Sequence, residues 1–519
     1  MSINNLLNKN LRFIFLLIIL AELLSFLGYY YQIINNIVFI IIAILAVALA
    51  LYKLEYGLWI LLAELLVGSF GYLFYFETGG FKLSIRIALW LIIVSVWLAK
   101  AIIKLVKTKK LELSFFRSPY SFYFLTLFIF IALGAINGFL KNNLLNNIFF
   151  DFNNWLFFLL IFPVFSVLQT DDSVKILKQI FLVSITWLSV KTIILAYFFS
   201  HSFNSFILDL YLWVRRSGVG EITQVVPGFS RIFMQSHIFV LIGFFILLFY
   251  LLKFTTVIAR SDSDAVISAQ ARKPEIATIP SVARNDKMKL FFYFILPLTL
   301  LLSTVIISFS RSFWLGLAAG GLFVWLVAIF RLKIKLKQFL IFNFSVLSVI
   351  ILSLALTFII IKFPYPAPSG GFNAADLLSE RAAQITDEAG ASSRWQLLPP
   401  LWQKIKIAPI LGQGFGATVA YKSNDPRVLA VSPKGEYITY AFEWGWLDVW
   451  LKLGLLGLLA YLALLLKIIF DGLKNGSYLS LALCSGLIVL IAVNIFSPYI
   501  NHPLGLGYLI ITAALLHKF

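Results

Sequence analysis

Five arginines carry most of the chemistry this chain offers: Arg215, Arg216, Arg231, Arg311 and Arg394. A guanidinium never gives up its proton and presents a planar fork of N–H donors, so it grips phosphate through paired, charge-assisted hydrogen bonds. The plainer role of a lone arginine is to anchor at a membrane interface or to pair with a carboxylate. Arg311 stands apart. It lies in Ser308-Phe-Ser-Arg-Ser-Phe-Trp-Leu-Gly-Leu317, between apolar runs at 290–308 and 312–330 that are each long enough to cross a bilayer. A turn of two or three residues leaves little room to reach bulk water. A cation near hydrocarbon costs about 2.5–3.5 kcal/mol even on lenient insertion scales. Either this side chain snorkels to the interface or it waits for an anion.

Other chemistry is sparse. Gly412-Gln-Gly-Phe-Gly416 is like part of a phosphate-cradling loop, but no strand precedes it and no Lys-Ser/Thr follows, so a tight turn is the plainer reading. No Asp-x-Asp pair and no histidine lies in 362–440, and His201, His237, His502 and His517 are scattered, so no metal centre and no cofactor is expected. The single cysteine, Cys484, excludes an intramolecular disulfide and a cysteine-based metal site.

The elements that must position these groups are membrane helices. The chain is 61% hydrophobic and 13% charged, where soluble domains hold about a quarter charged residues. Its mean hydropathy is +0.95. The expected class is all-α: a polytopic transmembrane bundle of about fourteen spans with a large extracytoplasmic loop containing short helices. Apolar runs fall at 11–31, 33–52, 56–76, 85–104, 119–140, 152–169, 174–199, 232–252, 290–309, 312–330, 339–361, 441–467, 478–496 and 504–517. The first is too long for a signal-peptide core and reads as an uncleaved span.

The formal charge of +19 would suggest nucleic acid in a soluble protein. Here basic loops account for much of it, the rest is expected to face anionic lipid or an anionic substrate, and no nucleic-acid partner is expected. Lys104, Lys107, Lys109, Lys110 and Arg117 follow the fourth run, Arg331, Lys333, Lys335 and Lys337 the tenth, and Lys467 and Lys474 the twelfth. Simple alternation puts all of them on one side, which the positive-inside rule makes cytoplasmic together with both termini. The Ser308–Ser312 turn and the loop 362–440 then face outward.

Three regions follow: N-terminal helices over 1–289, a core over 290–467, and C-terminal helices over 468–519. The first contains a polar, aromatic-poor stretch at 254–289, expected to be a disordered cytoplasmic insert. Within 362–440, a breaker cluster at 364–371 ends a span, and a short polar helix is expected at 376–387. An amphipathic helix capped by Ser393 is then expected to carry Trp395, Leu398 and Trp402, kinked or shortened by Pro399 and Pro400.

Ser310-Arg311 followed by Trp314-Leu-Gly-Leu317 resembles the Ser-Arg signature of the O-antigen ligase and polymerase-like family of membrane glycosyltransferases. Arg394-Trp395, the turn Ala408–Gly416 and Trp446-Leu-x-x-Trp450-x-x-x-Gly454 are similar to its second half. The likeness covers about 290–460. It implies transfer of a glycan from undecaprenyl diphosphate to a glycan or lipid acceptor, outside the cytoplasmic membrane, without metal. Arg311 and Arg394 would stabilise the diphosphate, with Ser310, Arg231, Arg215, Arg216, Gly412 and Gly414 as further substrate-binding positions and membrane lipid as surroundings.

There is one departure. Where the ligases carry a histidine before the span with Gly-x-x-Gly, this chain has Glu443 and Trp444. A carboxylate in an apolar setting is a base for an acceptor hydroxyl, and it is equally a partner for an arginine. Glu436 and His237 are fallback bases. The departure moves weight from lipopolysaccharide ligase toward polymerase or another acceptor. A transporter or flippase of lipid-linked oligosaccharide is the competing reading, with neither internal repeat nor paired broken helices to favour it.

Overall fold

The computed structural model describes residues 9–78, 81–110, 113–203, 206–270, 288, 290–369, 389–424 and 426–519. It is an array of helices with three two-stranded antiparallel hairpins. Hydrocarbon has no water to satisfy backbone N–H and C=O groups, and a helix satisfies them within one segment. Among the described residues, eleven helices are long and apolar enough to cross a membrane, from Asn10–Tyr30 to Gly445–Asn475. Three of the fourteen expected spans are shorter: Leu54–Val67 has 14 residues, and Tyr478–Val493 and Pro503–Lys518 have 16 each.

The run expected as a span over 56–76 stops at Val67 for a reason that counting apolar residues averages away. Buried Arg86 donates to both carboxylate oxygens of buried Glu64, at 2.8 and 3.1 Å, and to the Ser69 carbonyl at 2.6 Å. That fork holds the chain in a turn, with Ser69 and Gly71 at φ 52° and 89°, and the hairpin Tyr75–Thr78/Phe81–Ser84 follows. A buried charge pair wins locally over continued helix.

The helices fall into two compact units. The first gathers the described parts of 1–19, 181–371 and 472–489; the second gathers those of 20–180, 372–471 and 490–519. In the first, helix His237–Gln270 packs on Leu296–Ser308, Arg311–Leu326 and Leu336–Lys362. Gly320 admits the Phe245 ring, which a Cβ would approach to 2.5 Å. Ser303 and Ser353 hydroxyls donate across to the Ser353 and Thr299 carbonyls, satisfying polar groups away from water. The expected disordered insert over 254–289 begins instead as a continuation of this helix to Gln270, while 271–287 and 289 lie outside the described residues, as does the polar helix expected at 376–387.

In the second unit, helix Gly445–Asn475 is broken at Gly454, whose φ of 73° and ψ of 177° are not helical. Leu145–Val167 crosses as two helices joined by a 3₁₀ stretch, Trp155–Leu160. Helix Ala389–Ile407 runs through Pro399 and Pro400. Ser393 does not cap it: the helix begins at least four residues earlier, and the Ser393 oxygen accepts from the Asn424 N–H and lies 3.0 Å from Ser423 Oγ. The buried face is Leu397, Leu401 and Ile405, not the expected Trp395–Leu398–Trp402 stripe; Trp395 and Trp402 flank it, exposed.

Candidate active site

The first unit positions Arg311. Helix Leu296–Ser308 ends on Phe309, which adopts the left-handed conformation (φ 49°) and so reverses the chain within two residues. Ser310 is extended, and Arg311 opens the next helix, Arg311–Leu326. The Ser310 hydroxyl makes no capping bond; it lies 3.1 Å from the Ser312 hydroxyl. A cation at a helix N-terminus works against the helix dipole, whereas an anion there is stabilised by it. Arg311 therefore occupies a position unfavourable for a cation alone and suitable for one that shares an anion with the helix end. The side chain is half-buried.

A hairpin walls this turn. Strand Phe229–Phe233, paired with Glu221–Val226, sets Phe229 against Phe309 with ring centroids 5.6 Å apart, and Phe233 against Phe313 at 5.7 Å. Arg231 lies between those two phenylalanines in sequence, its guanidinium 5.5 Å from the Phe233 ring. Arg215 and Arg216 are exposed at the end of helix Phe206–Arg216, which packs on the same hairpin, and Arg215 donates to the Tyr211 hydroxyl at 2.9 Å. The turn and hairpin thus bring the elements bearing Arg311, Arg231, Arg215 and Arg216 into one assembly. His237, a fallback base by sequence, is fully buried: Nδ1 accepts from the Met234 N–H at 3.3 Å and Nε2 lies 2.8 Å from Thr192 Oγ1. Both ring nitrogens are engaged within the fold.

The second unit positions Arg394 and Glu443. Their side chains meet as an ion pair, Arg394 Nε donating to Glu443 Oε2. The Trp444 indole donates to the Arg394 carbonyl at 2.9 Å, and Trp395 meets Trp444 edge to face at 5.4 Å. Trp402 meets Trp450 likewise at 5.4 Å, and the Trp450 indole donates to the Pro409 carbonyl at 2.9 Å. Four tryptophans therefore staple helix Ala389–Ile407 to the start of helix Gly445–Asn475. Glu436 is exposed on the hairpin Val419–Lys422/Glu436–Thr439, opposite Lys422.

The Gly-x-Gly-x-Gly loop fills the break at Gly454. Gln413 and Gly414 donate to the Leu451 and Lys452 carbonyls at 2.6 and 3.2 Å, and Phe415 to the Gly134 carbonyl at 3.0 Å. In return, Leu455 donates to the Pro409 carbonyl at 2.8 Å. Gly412, Gly414 and Gly454 all have positive φ, and a Cβ on Gly412 would come within 2.5 Å of the Gly454 nitrogen. The N–H groups of Gln413 and Gly414 go to carbonyls that the broken helix leaves open, and those of Gly412, Phe415 and Gly416 to Ala408, Gly134 and Asp151, so the loop's donors are engaged within the fold. Asn143 donates to the Gln413 and Phe415 carbonyls, and Lys141 to the Gly412 carbonyl at 2.8 Å. Burial and the neighbouring Lys404 charge push the Lys141 ammonium below the usual lysine range.

A buried charged network, absent from the sequence reading, backs this loop. Lys452 Nζ donates to Asp151 Oδ1 at 2.5 Å and forms an ion pair with Asp448 Oδ1 at 2.6 Å, and all three are buried. Asp151 Oδ2 accepts from the Gly416 N–H at 3.0 Å, and Asp448 Oδ2 from the Asn501 amide at 2.5 Å. Tyr440 sits close enough that burial first, and then the Asp151 charge, raise its phenol above the usual range. Ionisable residues inside apolar runs were the available signal, and Asp448 and Lys452, four apart on one helix, displayed it. Among the described residues, no three His, Cys, Asp or Glu side chains gather as a set of metal ligands.

No curated protein and no solved structure matches this chain. Residues 296–462 match the family model described as O-Antigen ligase, a stretch that contains Arg311, Arg394, Glu443 and the glycine loop. That match gives the chain an O-antigen ligase-like domain at 296–462, and eleven helices of membrane-spanning length among the described residues make it a multi-pass membrane protein.

Proposed function

We propose that the protein transfers or polymerises a glycan from an undecaprenyl-diphosphate carrier on the extracytoplasmic face of the cytoplasmic membrane, with both termini cytoplasmic. The observation that carries this reading is Arg311, held half-buried at a helix N-terminus between two spans, within the stretch matching the ligase family. The acceptor hydroxyl oxygen attacks the anomeric carbon, and the bond from that carbon to the diphosphate oxygen breaks with its electron pair leaving on the diphosphate. Arg311, aided by Ser310 and the helix N-terminus, stabilises the charge gathering there. Arg394 is the second cation of this reading; Arg231, Arg215 and Arg216 are helpers that draw the anionic carrier in.

Glu443 takes one of two roles. As a base it accepts the acceptor hydroxyl proton; as a partner it holds Arg394 in place, and the hydroxyl proton passes to the departing diphosphate oxygen. The ion pair favours the second, because a carboxylate bound to a guanidinium is a weaker proton acceptor. The family match supports transfer over transport of the lipid-linked glycan. The test is glycan transfer in membranes carrying Arg311→Ala: product and free undecaprenyl diphosphate both fall at least about a hundredfold while the protein still inserts. Near-normal transfer by that variant overturns the reading.

A further inference from the structure

We infer that a cleft at the basic end of helix Ile85–Thr108 binds the phosphate of an anionic phospholipid. The cleft has a volume of about 210 Å³ and lies wholly within the second unit. Lys100 and Lys104, one helical turn apart, share its wall with Trp97, Phe162 and the hydroxyl-bearing Ser114 and Ser166. Among the described residues that line it there is no carboxylate.

The chemistry of those groups selects an anion. Lys100 gives one of its three ammonium hydrogens to the Ala50 carbonyl at 2.8 Å, a neutral acceptor in the last turn of helix Gln32–Tyr52. Among the described residues no carboxylate pairs with it, so its charge faces the cleft. Lys104 is exposed and adds a second charge on the same face. Both serines already donate to carbonyls, Ser114 to Phe165 and Ser166 to Pro163, so binding an anion falls to the two ammonium groups.

The surroundings select a lipid. The Trp97 and Phe162 rings stack at 5.0 Å and give the cleft a flat apolar side. Exposed Leu98 and Ile102 continue an apolar surface along the same helix, where acyl chains would lie. Basic pockets between membrane helices at an anionic leaflet hold phosphate headgroups in this way. The site is independent of the glycan-transfer reading and uses none of its residues.

The test is lipid retention by the full-length protein purified from mixed micelles of phosphatidylglycerol and phosphatidylcholine, read by native mass spectrometry. Wild type retains phosphatidylglycerol preferentially, and Lys100→Gln/Lys104→Gln lowers the preference by about fivefold for each lysine removed. Lys104→Gln alone, a change at an exposed residue that leaves folding intact, loses about one such factor. Lys107→Gln/Lys109→Gln, outside the cleft, changes nothing. Equal retention by wild type and Lys104→Gln overturns the proposal. So does stabilisation by water-soluble glycerol 3-phosphate that matches that of the lipid and is lost in the double variant, since a free phosphate compound would then be the ligand.

Discussion

Arg394 and Glu443 illustrate what a single side chain commits to. The pair is half exposed, with side-chain exposures of 34% and 52%, so solvent screens it and its contribution to stability is small. Its value is geometric. Glu443→Gln keeps an oxygen for Arg394 to bind but removes the charge and the capacity to take a proton. If Glu443 positions Arg394, that variant loses transfer by about tenfold or less, and the loss does not depend on pH between 6 and 9. A loss above about a hundredfold that flattens the pH–rate profile would assign the base to Glu443 instead. Arg311→Lys checks the other cation: a compact ammonium lacks the guanidinium fork, so it recovers only a small part of the activity lost in Arg311→Ala.

At the scale of elements, the decisive piece is the loop that completes a broken helix. Gly414→Ala and Gly454→Ala each force a Cβ into backbone, that of Gly138 and of Ile410 respectively, at positive φ. Each should destabilise by at least about 2 kcal/mol, combining strain and overpacking, visible as a lower melting temperature in detergent. Gly321→Ala meets open space and serves as the control, expected to melt like wild type. The last helix has its own dependence on pH. His502 precedes Pro503–Lys518, accepts from the Leu504 N–H, and is pushed down to about 3 by burial and the nearby Arg86 charge. The unfolded chain takes up a proton near 6.5 that the folded chain refuses, so stability from neutral His502 is fully present above about 6.5 and is lost as pH falls toward 3. His502→Asn, which keeps a cap without titrating, should melt with a shallower decline over that window; parallel curves would show His502 is not responsible.

Across the whole molecule, one buried long-range tie is the Asp151–Lys452–Asp448 cluster, which with Gly416 and Asn501 joins four segments. Lys452→Met leaves two buried carboxylates without their cation and should cost about 3–5 kcal/mol, whereas Lys434→Met on the surface costs little. Similar melting of both variants would remove the cluster from the account of stability.

The helical class, most span positions and the Ser-Arg turn were legible in sequence, because bilayer thickness imposes run length and a charge between two long runs is conspicuous. Meeting of Arg394 with Glu443, 49 residues apart, follows only once Trp444 and Trp450 fix helix against helix. The glycine loop had two readings from sequence. The broken helix at Gly454 gives the tight turn a structural role, since its open carbonyls take the Gln413 and Gly414 donors. Glu64 with Arg86, and Asp151 with Lys452, likewise look like isolated charges in apolar runs until folding brings opposite signs together. Local composition thus determined which segments leave water; pairing of charges and backbone groups across distant segments belonged to the tertiary structure, because each such group needs a partner that no neighbour in the chain supplies.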